Sequence, residues 1–170
     1  MKRFLFVFFC IIVLPAVNTR GVEPVRGYRC YMDLALGDAY NFNTAQTIST
    51  NNMQFYSMAS TTHGYKVNDW FVGGGVAFYH SFRDGESMYP IFAAGRYTFR
   101  NVKMNPYVDT RAGIICDPRW VRPVQVYGAL LAGVTVYKKL QTGIRLSLFS
   151  RPSRYFTANA AVVVSYVFGE

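Results

Sequence analysis

Hydrophobic and polar residues alternate along most of the chain with a period of two. Leu140, Ile144 and Leu148 share one face of the segment 140–148, and polar or small residues occupy the other. Because successive side chains of a β-strand point to opposite faces, the pattern predicts a strand with one apolar face. The same alternation predicts eight strands in all: 28–37, 53–65, 70–80, 91–100, 107–114, 124–137, 140–148 and 156–168.

The predicted connections between the strands differ in length. The first connection, 38–51, is long and polar, whereas only Lys138 and Lys139 join the sixth and seventh strands. Longer odd-numbered connections alternate in this way with tighter even-numbered ones such as 101–105. Up-and-down barrels of outer membranes show the same asymmetry, since their short turns face the periplasm and their longer loops face outside. We therefore expect an all-β, eight-stranded antiparallel up-and-down transmembrane barrel.

The face that meets lipid decides between a membrane barrel and a soluble one, because alternation alone fits both. Residues of the non-apolar face are mostly small where a soluble sheet would carry Lys and Glu: Gly73, Gly75, Ala77, Gly113, Gly143 and Ser147. Only 16% of all residues are charged, against about a quarter in soluble domains. Aromatic residues, 17% of the chain, gather near the predicted strand ends, as in interfacial girdles. They are Tyr28, Tyr40, Tyr65, Trp70, Tyr79, Tyr97, Phe99, Trp120, Tyr137, Tyr155, Tyr166 and Phe168.

The first residues have the layout of a secretory signal peptide. Lys2 and Arg3 precede an apolar run from Phe4 to Leu14, which is too short to span a membrane as a helix. We predict a signal peptide at 1–19, with cleavage after Ala16 or Thr19, and a barrel domain at 20–170. The exported chain keeps two cysteines, Cys30 and Cys116, which the predicted topology puts near opposite ends of their strands. A disulfide between them is therefore a minor alternative.

Several charged residues fall on the non-apolar faces and are predicted to lie inside the barrel. Charges away from water must pair or form hydrogen bonds, so we expect them to form a structural ionic network that fills the lumen. Four of the six are cations, and tyrosine hydroxyls, backbone carbonyls or trapped water must complete the network. With eight strands and side chains inside, no open pore is expected. The six residues are Arg29, Asp33, Arg96, Asp109, Arg111 and Arg145.

The last predicted strand presents Val162, Val164, Tyr166 and Phe168 on one face, two residues from the end of the sequence. This resembles the terminal signature by which barrel-assembly machinery recognises outer-membrane proteins. Gly169 and Glu170 follow the phenylalanine, where the usual signature ends on an aromatic residue.

Several short segments resemble the small eight-stranded outer-membrane β-barrel proteins of the OmpX/OmpA-like class. The chain is most similar to the short single-domain members found in Gram-negative anaerobes. The resemblance implies the fold and an outer-membrane location, and it supplies no shared catalytic site. The segments that carry it are Gly27-Tyr28-Arg29, Ser60 to Tyr65, Phe71 to Gly75, Pro90 to Ala93 with Arg96-Tyr97, and Pro106 to Asp109.

Residue chemistry argues against most other functions. His80 and Ser81 could form the base and nucleophile of a lipid-modifying enzyme near the outer rim, but neighbours on a strand point to opposite faces. The histidines and cysteines lack metal-ligand spacing, and the glycines 73–75 lack the Lys-Ser/Thr of a phosphate loop. The net charge of +9 comes from scattered basic residues, which suit anionic lipid better than nucleic acid.

We therefore expect a non-enzymatic outer-membrane barrel of structural or surface-interaction type, without cofactor or metal. Its expected partners are outer-membrane lipid or lipopolysaccharide, the barrel-assembly machinery, and an extracellular molecule bound through the outer loops 38–51 and 117–123. Two alternatives remain: a lipid-modifying enzyme on the same fold, with His80 the first residue to test, and a secreted soluble barrel with its apolar faces turned inward.

Overall fold

The computed structural model describes residues 26–43, 53–100, 102, 104–116, 125–151 and 155–169. Among these residues no helix is long and apolar enough to cross a membrane. The predicted signal peptide at 1–19 lies outside the described residues and stays a prediction. The described residues form eight strands: β1 (Gly27–Asn43), β2 (Met53–Val67), β3 (Trp70–Ser81), β4 (Ser87–Thr98), β5 (Tyr107–Cys116), β6 (Gln125–Tyr137), β7 (Leu140–Arg151) and β8 (Tyr155–Phe168).

The strands form a closed barrel in which each strand pairs antiparallel with its neighbours in sequence. Strand β8 returns to β1, where Asn43 pairs with Tyr155 and Cys30 with Phe168. Closure satisfies the backbone hydrogen bonds of both terminal strands and leaves no open sheet edge. The predicted eight-stranded up-and-down barrel is confirmed.

The two ends of the barrel carry different connections. One end carries Gly27, Phe168 and the connections 68–69, 99–106 and 138–139, and we call it the lower rim. The opposite end, where 82–86 joins β3 to β4, is the upper rim. Cys30 lies near the lower rim on β1, and Cys116 lies at the upper end of β5, four strands away. Both thiols are free.

Strand limits differ most from the sequence prediction in two places. Strand β1 continues through 38–43, which the polar composition predicts as a loop, because these residues pair with β8 from Ala160 to Tyr155. Strand β4 starts four residues early, at Ser87, since Ser87 pairs with His80 of β3. Strand β4 also ends two residues early, at Thr98, so the connection to Tyr107 is longer than predicted. In both places a partner strand supplies hydrogen bonds that local composition does not reveal.

The outer face of this barrel is apolar and its inner face carries charges, which is the reverse of a soluble barrel. Leu34 and Leu146 are 67% and 56% exposed on the outside, whereas Arg96 and Arg145 are 0% exposed inside. Val108 and Ile144 also lie outside, and Arg111 lies inside. The predicted orientation is therefore confirmed. A soluble barrel with inward apolar faces is excluded, because this barrel buries its charges and exposes its aliphatic side chains.

Candidate functional site: the barrel lumen

Charged side chains meet at mid-height in the lumen, projecting from strands β1, β4, β5 and β7. Asp33 is central on β1, Arg96 lies on β4, and Arg145 lies on β7. All are at least 97% buried together with the two charged residues of β5. We call Asp33, Arg96, Asp109, Arg111 and Arg145 the central ionic cluster.

Asp109 holds two arginines of the cluster. Its Oδ2 accepts a hydrogen bond from Arg96 Nε at 2.9 Å and lies 2.8 Å from Arg96 Nη2. Its Oδ1 accepts one from Arg111 Nε at 2.8 Å. One buried carboxylate therefore partly neutralises two buried guanidinium groups through short, charge-assisted hydrogen bonds.

Asp33 is the second acceptor of the cluster. Its Oδ2 accepts hydrogen bonds from Arg111 Nη2 at 2.6 Å, Ser60 Oγ at 3.0 Å and Arg145 Nη2 at 3.1 Å. Arg111 therefore bridges both carboxylates, across strands that are far apart in sequence. Arg29 lies four residues nearer the lower rim than Asp33, and its Nη1 donates to the carbonyl of Gly169. The structure thus brings five of the six predicted lumen residues together.

Aromatic side chains lie inside the barrel on both sides of the cluster. A lower aromatic layer consists of Tyr31, Phe71 and Tyr107, and the guanidinium carbon of Arg96 lies 3.9 Å and 4.5 Å from the ring centroids of Tyr31 and Tyr107. An upper aromatic layer is formed by Tyr56, Tyr79, Phe92, Tyr127 and Phe149, whose neighbouring ring centroids are 4.9–5.7 Å apart. Offset and edge contacts at such distances are favourable between rings.

The lumen is more aromatic than the sequence analysis expects, and the small inner residues explain how the rings fit. A Cβ atom at Gly64 or Gly73 would lie 2.8 Å from the ring of Phe71, and one at Gly75 would lie 2.8 Å from that of Phe92. Gly64 and Gly75 therefore leave space for a ring from the neighbouring strand, and Gly73 leaves space for a ring of its own strand. The small residues of the inner face make room for large side chains and do not line an empty space.

Two glycines of β6 test this complementarity. A Cβ at Gly133 would lie 2.6 Å from the hydroxyl of Tyr107 and overlap the carbonyl of Thr142, whereas one at Gly128 meets nothing within 4 Å. We expect Gly133→Ala to lower the free energy of unfolding by about 1–3 kcal/mol through overpacking. Gly128→Ala should leave it unchanged or raise it by about 0.4–1 kcal/mol, because the unfolded chain loses freedom. Urea unfolding of both variants in detergent micelles measures the difference, and equal effects would contradict the packing argument.

Aromatic residues also form a belt near each rim on the outer surface. Tyr28, Tyr65, Trp70, Tyr137 and Phe168 are exposed near the lower rim, in agreement with the sequence prediction. Tyr79 was predicted for the belt but is 0% exposed inside the barrel. Its spacing of two from Ala77 and Gly75, which are predicted for the inner face, is the sequence signal that places it there. Exposed aromatic residues near the upper rim include Tyr40, Phe55, Phe78, Phe82, Tyr89 and Phe156. Trp120 and the side chain of Tyr155 lie outside the described part.

The histidines point away from the lumen. Nδ1 of His80 lies 3.0 Å from Oγ of Ser87 on β4, whereas Ser81 is buried inside and donates to Gln54. His80 and Ser81 therefore lie on opposite faces, as their adjacency predicts.

Near the lower rim, His63 forms hydrogen bonds with Tyr28 and Thr61, and its Nε2 lies 3.8 Å from Cys30 Sγ. Within the described ranges no group of three or more His, Cys, Asp or Glu side chains could hold a metal ion.

The remaining predicted sites fall on the barrel exterior or outside the described residues. Val164, Tyr166 and Phe168 are exposed on the outer face of β8, and Val162 is half-buried on the same face. Val164 pairs with Leu34 of β1, so this strand completes the closure of the barrel. Of the predicted outer loops, 44–51 and 117–123 lie outside the described residues, and 38–43 belongs to β1.

Comparison with solved structures finds barrels of the same architecture. The crystal structure of neisserial surface protein A, NspA, is similar with a TM-score of 0.55 and 14% sequence identity, covering 85% of this chain and 99% of that one. The likeness shows the fold. A structure from the de novo design of transmembrane β-barrels is similar with a TM-score of 0.46 and 14% identity, covering 81% of this chain and 95% of that one. No protein-family model matches the chain, and no curated protein matches it. The similarity to NspA confirms the resemblance to small outer-membrane barrels at the level of fold.

Proposed function

We propose that the protein is an integral outer-membrane barrel of a Gram-negative bacterium, exported through a cleaved signal peptide, with a structural or surface-interaction role. The observation that carries the proposal is the polarity of the barrel wall. Leu34, Leu146 and Leu148 are more than half exposed, while five charged side chains are buried in the lumen. An outward apolar band flanked by aromatic girdles is stable in a bilayer and would promote aggregation in water. A neisserial protein with this fold is named a surface protein.

Fractionation of the cell envelope tests the location. We expect the full chain in the outer membrane and a faster-migrating folded form on gels before heating. A variant without residues 1–19 should stay in the cytoplasm. Recovery of the full chain as a soluble, non-heat-modifiable protein would contradict the proposal.

The lumen of the proposed barrel does not conduct ions. In support, the central ionic cluster lies between two aromatic layers, and an eight-stranded barrel leaves room only for side chains or one small ligand. Single-channel recordings in planar bilayers should therefore show no large, stable conductance. A reproducible open level of that kind would overturn the closed lumen and leave the membrane location intact.

Proposed contacts of the protein follow from its surfaces. Lipid or lipopolysaccharide would cover the outer wall, and the barrel-assembly machinery would recognise the outward face of β8 during insertion. An extracellular partner would bind the proposed outer loops at 44–51 and 117–123. Replacing Tyr166 and Phe168 by Ser should slow assembly in cells, measured as the fraction of heat-modifiable protein, while Val67→Ser at the lower rim serves as the exposed control.

The enzyme alternative now has a defined pair of residues. His80 Nδ1 and Ser87 Oγ are 3.0 Å apart on the outer surface near the upper rim, the arrangement of a base and a nucleophile. Our proposal of a non-enzymatic barrel predicts that His80→Ala and Ser87→Ala leave the lipid composition of the outer membrane unchanged. Loss of a lysophospholipid or free fatty acid product in both variants would favour the enzyme.

A further inference from the structure

The buried charges of the lumen do not balance. Of the described residues, five with charged side chains are buried, and they comprise three arginines and two aspartates. The described interior therefore carries one excess positive charge. An uncompensated charge away from water is costly, and a guanidinium group cannot lose its proton to avoid the cost.

The three arginines are not equally compensated. Arg96 directs Nε and Nη2 at Asp109 and donates from Nη1 to Gln141 at 2.7 Å. Arg111 donates from Nε to Asp109 at 2.8 Å, from Nη1 to Ser60 at 3.1 Å and from Nη2 to Asp33 at 2.6 Å. Every nitrogen of these two guanidinium groups therefore lies within 3.1 Å of an oxygen atom, and Nη2 of Arg96 makes this contact as an ion pair without a hydrogen bond.

Arg145 is the exception, although it is 0% exposed. Its Nη2 donates to Asp33 Oδ2 at 3.1 Å, the longest of the three bonds to that oxygen. Its Nη1 faces the sulfur of Met58 at 3.3 Å, which is a weak acceptor, and its Nε has no hydrogen-bond partner. The excess charge of the lumen is therefore located on Arg145.

The surroundings of Arg145 offer further donors rather than a third carboxylate. The hydroxyl of Tyr127 is buried and has no hydrogen-bond partner, and the charge of Arg145 acts on the hydroxyls of Tyr127 and Tyr56. A water molecule could satisfy single hydrogen bonds here but would leave the net charge in place. A bound anion would accept from Nε and the hydroxyl and also neutralise the charge.

We propose that the lumen binds one small monovalent anion, of the size of chloride or bromide, at Arg145 between the central ionic cluster and the upper aromatic layer. The dense aromatic packing on one side and the ion pairs on the other restrict the ligand to a small ion. The inference uses only the lumen and holds whether or not the proposed cellular role is correct.

Anion-dependent refolding tests the site. The urea-unfolded protein is refolded into detergent micelles in sodium gluconate, with gluconate replaced stepwise by chloride at constant ionic strength, so that slow entry through a closed barrel does not matter. We expect the urea midpoint of unfolding to rise with chloride concentration and to saturate, because an ion that binds only the folded state stabilises it. Bromide should act in the same way. An unchanged midpoint in chloride would overturn the proposal.

Two variants locate the effect at Arg145. Arg145→Met removes the excess charge, so its midpoint should no longer depend on chloride, while the exposed control Lys139→Met should keep the wild-type dependence. If Arg145→Met does not fold, Tyr127→Phe keeps the charge and removes one donor. Its half-saturating chloride concentration should rise about tenfold, as expected for one lost hydrogen bond. Crystals grown in bromide should show an anomalous peak beside Arg145. A wild-type chloride response in Arg145→Met, or a peak elsewhere only, would refute the site.

Discussion

Asp109→Ala is expected to lower the free energy of unfolding by about 3–5 kcal/mol, the usual result of removing one partner from a buried ion pair. Asp109 accepts from both Arg96 and Arg111, so its loss leaves two buried guanidinium groups short of acceptors. The measurement is urea unfolding of the protein folded into phospholipid vesicles, followed by the shift between the compact and the unfolded band on gels.

Asp69→Ala is the matched control for this loss. Asp69 forms an ion pair with Arg100 at 2.5 Å, but the pair lies at the lower rim, where the aspartate side chain is 36% exposed. Exposed ion pairs contribute little, so we expect a loss of about 0–1 kcal/mol. Combining Asp109→Ala with Arg96→Met should recover part of the stability, since it restores the wild-type excess of one buried cation. Equal losses in the two single variants would show that the central ionic cluster is solvated.

Alternation along the chain predicts much of the fold, because the side-chain period of a strand fixes which face each residue joins. It places Asp33, Asp109, Arg111 and Arg145 on inner faces, and all four are buried. It does not say which arginine meets which aspartate. That choice depends on barrel closure, which brings Arg145 to Asp33 across 112 positions of sequence.

The alternation of apolar and polar residues also does not predict which aromatic side chains enter the lumen. Phe71 and Phe92 lie inside although their strands look apolar on the outer face as well, so hydrophobicity alone does not assign them a side. The glycines on neighbouring strands carry the missing information, since a ring of β3 or β4 fits only where the next strand has no Cβ. Such complementarity between strands can be recognised only after the register is known.

Leu34→Arg is expected to have the other large effect, through the outer face rather than the lumen. Leu34 adjoins Asp33 at mid-height, pairs with Ala59 and Val164, and is 67% exposed. In a bilayer this height is the hydrocarbon midplane, where an arginine on the lipid face costs about 2–4 kcal/mol. Urea unfolding from phospholipid vesicles should show a loss of that size.

The control for lipid exposure is Val67→Arg, at the lower rim and 45% exposed. There the side chain reaches the headgroups, so we expect a loss of about 0–1 kcal/mol. If water surrounded the barrel instead, both substitutions would be surface changes of about 0.5 kcal/mol or less, whatever their height. A cost that falls with distance from the barrel midplane is therefore a property that only an enclosing bilayer gives to these two exposed positions.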